Sequence, residues 1–270
     1  MSNQLEDIIN DLEDEHRALE RVLEKMPLGD WDRPSHAPGW LARDQVTHLA
    51  FFDEAATRAM ADPEAFVAEV KRVLAEGGKQ EEEYLAKGRA MQPGELFDWW
   101  RRASSGLISA ARRVDAKARL PWYGPPMSAV SFVTARLMET WSHGLDVVDA
   151  VDGDRPDTDR LRHVAFLGVR TRPFSYQNRG LEPNLAPVRV TLTAPSGAVW
   201  ELGEESETDR ISGTATDFCR VVTQRRHLAD TNLKVEGPNA AEWMEFAQAF
   251  AGPPGPGRKP GEFAHEKAAP

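Results

Sequence analysis

The sequence predicts a helical first domain followed by a small α+β domain. Apolar residues recur at helical spacing through the first 178 residues. After Gly180 the pattern changes to strand-like alternation, as in Val188–Ala194 (VRVTLTA). The C-terminal stretch is rich in Pro and Gly. These shifts place the helical domain at residues 1–180, the α+β domain at 184–252 and a disordered tail at 253–270.

Within the first domain, Leu5, Ile8, Ile9, Leu12, Leu19, Val22 and Leu23 mark a helix over 3–26, which Pro27 and Gly29 end. Trp31–Pro38 is a connecting loop. A second helix runs from near Gly39 to Met60, with Leu41, Val46, Leu49, Phe52 and Ala56 on its apolar face. Asp62-Pro63-Glu64 starts a third helix, with Asp as N-cap and Pro in the first turn. It passes Phe66, Val70 and Leu74 and is broken at Gly77-Gly78. A polar helix carries Tyr84 and Leu85. Another spans 94–115 with Leu96, Trp99, Trp100, Leu107 and Ile108. Leu120–Pro126 is turn-rich, and a long helix follows from Ser128 to Ala150. Gly153-Asp154 and Pro156 separate it from a last helix over 158–177.

In the second domain, Pro195-Ser196-Gly197 reads as a hairpin turn between Val188–Ala194 and a returning strand at Ala198–Leu202. Ile211 falls in a third strand, Thr216–Arg226 in a helix and Leu233–Val235 in a short strand. Asn239–Phe250 is an amphipathic helix with Asn239 as its candidate cap.

Composition narrows the function classes. Of 270 residues, 43 are Asp or Glu and 33 are Lys or Arg, a formal charge of -10. That balance argues against nucleic acid as a partner, since neutralising phosphates needs clustered cations. No apolar run approaches the ~20 residues of a membrane span. The acidic N-terminus lacks the features of a signal peptide. Cys219 is the single cysteine, which excludes an intramolecular disulfide and points to a cytoplasmic setting.

Three residues carry the candidate chemistry. Glu139 and His143 lie four apart on the long helix and so share a face. If the second helix packs beside it, His48 completes a His₂Glu set with one position open, the form of catalytic zinc sites. The alternative is a solvated Glu–His surface pair of no functional weight. The apolar neighbours Val46, Leu49, Phe51, Phe52, Leu137, Met138, Trp141 and Leu145 favour burial, where a carboxylate needs a partner.

The stretch Ala37-Pro38-Gly39-Trp40-Leu41-Ala42-Arg43-Asp44-Gln45-Val46-Thr47-His48-Leu49 resembles the "PGW…RD…HL" signature of the mycothiol-dependent maleylpyruvate isomerase group, which is one of the DinB-like metal-binding four-helix bundles. Glu139-x-x-x-His143, followed by Asp146, resembles the second half of that signature. The C-terminal region is similar to that group's sterol-carrier-protein-like α+β domain. Gly213-Thr214-Ala215-Thr216-Asp217-Phe218…Gln224-Arg225-Arg226 matches its "G…AD…GRR" stretch, with Gln224 where glycine is usual. The resemblance covers about residues 5–250. It implies a divalent metal, most often zinc, held by His48, Glu139 and His143, and a thiol cofactor, mycothiol, whose sulfur reaches the open position. It also implies that Arg225 acts in catalysis and that Arg225 and Arg226 bind carboxylates of substrate or thiol, a role suited to guanidinium.

The reading is therefore a metal-dependent enzyme using a low-molecular-weight thiol for isomerisation or S-transfer on a small electrophile. The alternatives are a metal-hydroxide hydrolase, a noncatalytic metal- or small-ligand-binding protein, and a purely structural helical protein. Asp44 and Asp146 are each either supports for the ligands or ordinary helix acids. Trp40 packs the entry of the second helix. Arg225-Arg226 can equally be a basic helix end. His16, in an acidic stretch, reads as a surface residue, and Asp53-Glu54 and Glu81-Glu82-Glu83 as solvated acids. His36, His163, His227 and His265 have no ligand role. Cys219 reads as a buried apolar residue, one of Trp99-Trp100 as core, and the Pro121–Pro126 loop as a shaper of the pocket mouth.

Overall fold

The computed structural model describes residues 2–75 and 80–263. The expected break at Gly77-Gly78 and residue His265 lie outside the described residues. The chain divides into two compact units, Met1–Arg155 and Pro156–Pro270.

The first unit contains α1 (Ser2–Lys25), α2 (Ala42–Ala61), α3 (Pro63–Ala75), α4 (Gln80–Ala90), α5 (Pro93–Ala111), a two-stranded hairpin β1 (Arg119–Leu120) and β2 (Met127–Ser128), and α6 (Ala129–Ala150). Helices α1, α2, α5 and α6 form a four-helix bundle, with α3 and α4 packed on α2. Leu19, Leu23, Val46, Leu49, Leu96, Trp99, Trp100 and Val147 from all four helices share one core. Burying each large side chain stabilises by roughly 1.5–3 kcal/mol.

The helix starts follow local chemistry. Gly39 takes φ +78° in the turn before α2, a region that disfavours side chains, so α2 begins at Ala42 rather than at Gly39 as expected. The Leu41 N–H donates to Asp44 Oδ2 at 2.8 Å, closing the first turn. Asp62 Oδ1 accepts from the Ala65 N–H, and Ser128 Oγ from the Ser131 N–H. Such caps contribute about 1 kcal/mol each. Gly88 lets α4 lie against Thr47 of α2, where a Cβ would collide with the Thr47 side chain. The turn-rich stretch over Leu120–Pro126 is the tip of the β1–β2 hairpin, paired Arg119 to Ser128 and Leu120 to Met127.

The second unit contains α7 (Leu161–Arg170), α8 (Arg172–Gln177), β3 (Arg189–Thr193), β4 (Val199–Gly203), β5 (Arg210–Thr214), α9 (Ala215–Val222), β6 (Lys234–Glu236) and α10 (Pro238–Phe246). Its sheet has the order β4-β3-β5-β6. β3 runs antiparallel to β4 and parallel to β5, and β5 runs antiparallel to β6. Val190, Leu192 and Ile211 are fully buried, as the alternating pattern requires. The turn at Pro195-Ser196-Gly197 is present, with Gly197 at φ +87°.

Several boundaries differ from expectation. The expected helix over 158–177 is two helices, broken at Thr171, and both belong to the second unit, where α7 packs on α9 and β4. The helical domain therefore ends near Arg155, not at residue 180. The helix expected over 94–115 ends at Ala111. Asn239 is not the cap of α10. Asp209 accepts from the backbone N–H groups of Asn239 and Ala240 and so caps the helix from the loop before β5. Within the described part of the tail, Phe263 is buried. Asp230 accepts from the Gly261 and Phe263 N–H groups, and the Arg226 guanidinium lies 3.6 Å from the Phe263 ring centre.

Candidate metal centre

α2 and α6 pack side by side in the bundle. That contact brings His48 of α2 against Glu139 and His143 of α6. The Oε2 of Glu139 lies 3.1 Å from His143 Nε2 and 3.6 Å from His48 Nε2. One donor atom from each of the three falls within 4.8 Å of the others. Zinc bonds of 2.0–2.2 Å in a tetrahedron set donor atoms about 3.3 Å apart, so this spacing suits an ion. Among the described residues, no other group of His, Cys, Asp and Glu gathers in this way.

The outer nitrogens of both imidazoles are already engaged. His143 Nδ1–H donates to Gln45 Oε1 at 2.6 Å, and His48 Nδ1 lies 3.2 Å from the Tyr84 hydroxyl. Gln45 is held in turn, since its Nε2–H donates to Ser35 Oγ at 2.8 Å. That bond fixes which end of the amide faces His143. With Nδ1 of each ring engaged elsewhere, both Nε2 atoms face Glu139 Oε2, to which they donate in the metal-free site and where a cation would take the place of their protons. Trp40 stacks on His143 with centroids 6.2 Å apart and tilts against His48 at 5.6 Å. The side chains of His48, Glu139 and His143 are only 16%, 20% and 12% exposed.

The electrostatics agree with this arrangement. Burial, and then the adjacent His143, push His48 down to about 3, so it is a neutral donor at pH 7. Burial alone would raise Glu139. Its hydrogen bonds with His143 and His48 outweigh that and hold the carboxyl well below its ordinary range. Two imidazoles and an ionised carboxylate are the kind of donor set that can hold a divalent cation.

Asp44 is a helix-start acid. It is fully buried, closes the first turn of α2 and pairs with Arg89 at 2.7 Å. Asp146 does lie beside the site, with Oδ2 3.7 Å from His143 Nδ1. Trp99 and Trp100 are both buried in the bundle core and do not line the site. Cys219 is buried, and its thiol is pushed well up by burial and by Asp157, as expected of an inert residue.

His16 and Asp53 are corrections. Both are buried, not solvated. Asp53 Oδ1 accepts two bonds from the Arg136 guanidinium, at 2.8 and 3.1 Å, and His16 Nε2 lies 3.7 Å from Asp53 Oδ2. In the second unit, Arg225 is half-buried and donates to the Thr223 carbonyl. Arg226 is buried and donates to the Arg225 carbonyl as well as covering Phe263. Gln224 has φ +59°, which explains why glycine is the usual residue there.

Two residues at the centre escaped the sequence reading. Gln45 precedes His48 by three positions, so helical spacing already placed it on the same face. Tyr84 comes from α4, and no local pattern ties it to His48.

The bundle and its His₂Glu cluster define a helical-bundle class of protein with a candidate metal centre, here joined to a small α+β unit. The particular family follows from sequence comparison: the chain belongs to the mycothiol maleylpyruvate isomerase family, whose N-terminal domain model matches residues 12–148. Two uncharacterised proteins of Mycobacterium tuberculosis, from strains CDC 1551 / Oshkosh and ATCC 25618 / H37Rv, are each 40% identical over 250 residues. The match covers 93% of this chain and 97% of theirs. The fold is similar to the crystal structure of the mycothiol-dependent maleylpyruvate isomerase, with TM-score 0.55 and 17% identity over 82% of this chain and 90% of that one. A histidine-to-alanine mutant of that enzyme matches equally, at 16% identity. No described helix is long and apolar enough to cross a membrane.

Proposed function

We propose that this protein is a metal-dependent enzyme, with zinc at His48, Glu139 and His143, that uses a thiol such as mycothiol for isomerisation or S-transfer on a small electrophile. One observation carries the reading: two imidazole Nε2 atoms converge on a single carboxylate oxygen while both Nδ1 atoms are engaged elsewhere. Three protein ligands leave a position open for an exogenous sulfur. A bound zinc ion would lower the thiol's pKa and present it as thiolate at neutral pH.

The chain's own residues supply the rest. Glu139 contributes the negative charge that holds the cation. Gln45 and Tyr84 keep the rings turned. The half-buried Arg225 is proposed as an anion-binding and catalytic guanidinium. Arg226, buried under Phe263, secures the segment that carries Arg225.

Elemental analysis of wild type and His143→Ala tests the metal assignment. About one zinc per chain in wild type, lost in the variant, is the expected result. Turnover of a panel of electrophiles that needs both zinc and mycothiol, and disappears in His48→Ala, is expected next. Zinc-independent turnover would overturn the proposal.

A further inference from the structure

Beside the metal cluster the bundle presents an aromatic wall. The Phe52 ring centre lies 4.5 Å from that of His48, 6.0 Å from Trp122 and 5.7 Å from Tyr123. Tyr84 stacks on Phe51 at 4.7 Å and meets Phe52 at 5.8 Å. Trp40 covers the opposite side, against both imidazoles. Trp40, Phe51, Phe52, Trp122 and Tyr123 are all partly exposed, so they offer faces to solvent and are not wholly consumed in the core.

This wall is pre-formed. Trp122 and Tyr123 sit at the tip of a hairpin pinned by two strand pairs. The Trp122 ring stacks on Phe66 with an interplanar angle of 13° and meets Phe132 edge-on. Gln80 Nε2–H reaches the Tyr123 hydroxyl.

The surrounding guanidinium groups are committed. Arg136 is given to Asp53, Arg89 to Asp44, Arg58 to Glu69 and Arg43 to Asp32. A substrate carboxylate turning to any of these four guanidiniums would have to displace an existing acid. A flat apolar group would meet ring faces and edges instead.

We infer that the electrophile this centre handles has an aromatic or similarly flat apolar body, seated against Phe52, Trp122 and Tyr123, and is not a small dicarboxylate. The inference rests on the proposed metal–thiol reading. It assigns Trp122 and Tyr123 as specificity determinants.

Two thiols that differ only in the body attached to sulfur test it. Zinc-loaded full-length protein is titrated by calorimetry with benzyl mercaptan and with mercaptosuccinate. Benzyl mercaptan is expected to bind at least tenfold more tightly. In Tyr123→Ala and Trp122→Ala that preference is expected to fall to threefold or less, with the zinc content still about one per chain. Tyr123→Ala is the decisive variant, because Trp122 also packs on Phe66 and Phe132 and its removal can disturb folding. Equal or tighter binding of mercaptosuccinate by the zinc-loaded chain overturns the substrate inference and leaves the metal–thiol reading standing. A preference for benzyl mercaptan unchanged in Tyr123→Ala also overturns it. Failure of the chain to bind zinc, or of zinc-loaded chain to bind either thiol, removes both readings together.

Discussion

His143 donates its Nδ1–H to Gln45 Oε1 over 2.6 Å, and this bond joins the two halves of the candidate metal centre. Gln45 stands on α2 three residues before His48, and His143 stands on α6. The same contact that packs the helices therefore also sets the tautomer of a ligand. Replacing Gln45 by Leu keeps the volume similar and removes the acceptor. Loss of such an outer partner lowers metal affinity about 10–100-fold. Competition with a chelating dye is expected to show a loss of that size for Gln45→Leu, and a smaller one for Ser35→Ala, which only frees the amide. Unchanged zinc affinity in Gln45→Leu would mean that the ring is oriented by Trp40 and Asp146 without Gln45.

A second polar cluster lies in the same bundle. Asp53 is fully buried and receives both bonds from Arg136. Removing one member of a buried pair strands the other's charge and costs about 3–5 kcal/mol. Arg136→Met is expected to lower stability by that amount in urea titration. The double variant Asp53→Leu/Arg136→Met is expected to recover most of the loss, since an apolar replacement of both is often neutral or stabilising. A double variant no more stable than Arg136→Met would show that the pair is needed to form the fold and not merely to satisfy itself.

The bundle, the order of its helices, the strand–turn–strand of the second unit and the His48–Glu139–His143 set were all legible in the sequence. The helices, the strands and the Glu139–His143 pair rest on a periodicity or a short spacing that local geometry enforces, while His48 joins that pair only through the packing of α2 beside α6, which no local spacing supplies. What failed was the polar lining. His16 and Asp53 sit among acids in the sequence, and only the meeting of α1, α2 and α6 reveals that they are buried beside Arg136. The same limit hid Tyr84, whose approach to His48 depends on Gly88 admitting α4 against Thr47. The helices after Arg155 were assigned to the wrong unit because amphipathic spacing tells that a face is covered, not which partner covers it. Apolar content was too sparse in the tail for its one anchor, Phe263, to stand out.

Acid sensitivity follows from His16. Burial is the largest effect on it and pushes its pKa down from the ordinary 6.5, while Asp53 opposes the shift. The folded chain resists a proton there that the unfolded chain accepts. Between pH 6.5 and the lower folded value the unfolded state thus binds more protons, and stability falls as pH falls. One such group contributes up to about 1.4 kcal/mol per pH unit within that window. The metal-free chain is expected to lose stability on acidification from pH 6.5. His16→Gln, weaker at pH 7.5 through lost packing on Trp100, is expected to show a shallower decline between pH 6.5 and 5. Parallel pH–stability curves for the two proteins would assign the acid sensitivity elsewhere.

The last anchored residue gives a prediction for the second unit. Phe263 is 3% exposed, with the Arg226 guanidinium over its ring and Asp230 receiving the backbone N–H groups of Gly261 and Phe263. A desolvated cation–π contact of this kind contributes about 2 kcal/mol. Loss of the ring in Phe263→Ala removes that contact and the buried apolar area together, while the Asp230 bonds remain. Arg258 and Lys259 lie just before this anchor, and Pro260 blocks trypsin after Lys259. Trypsin is therefore expected to cut after Arg258 slowly in wild type and at least tenfold faster in Phe263→Ala, with zinc content unchanged because the ligands lie in the other unit. Cleavage at the same rate in both proteins would show that Asp230 alone holds the segment and that Arg226 does not depend on Phe263 for its position.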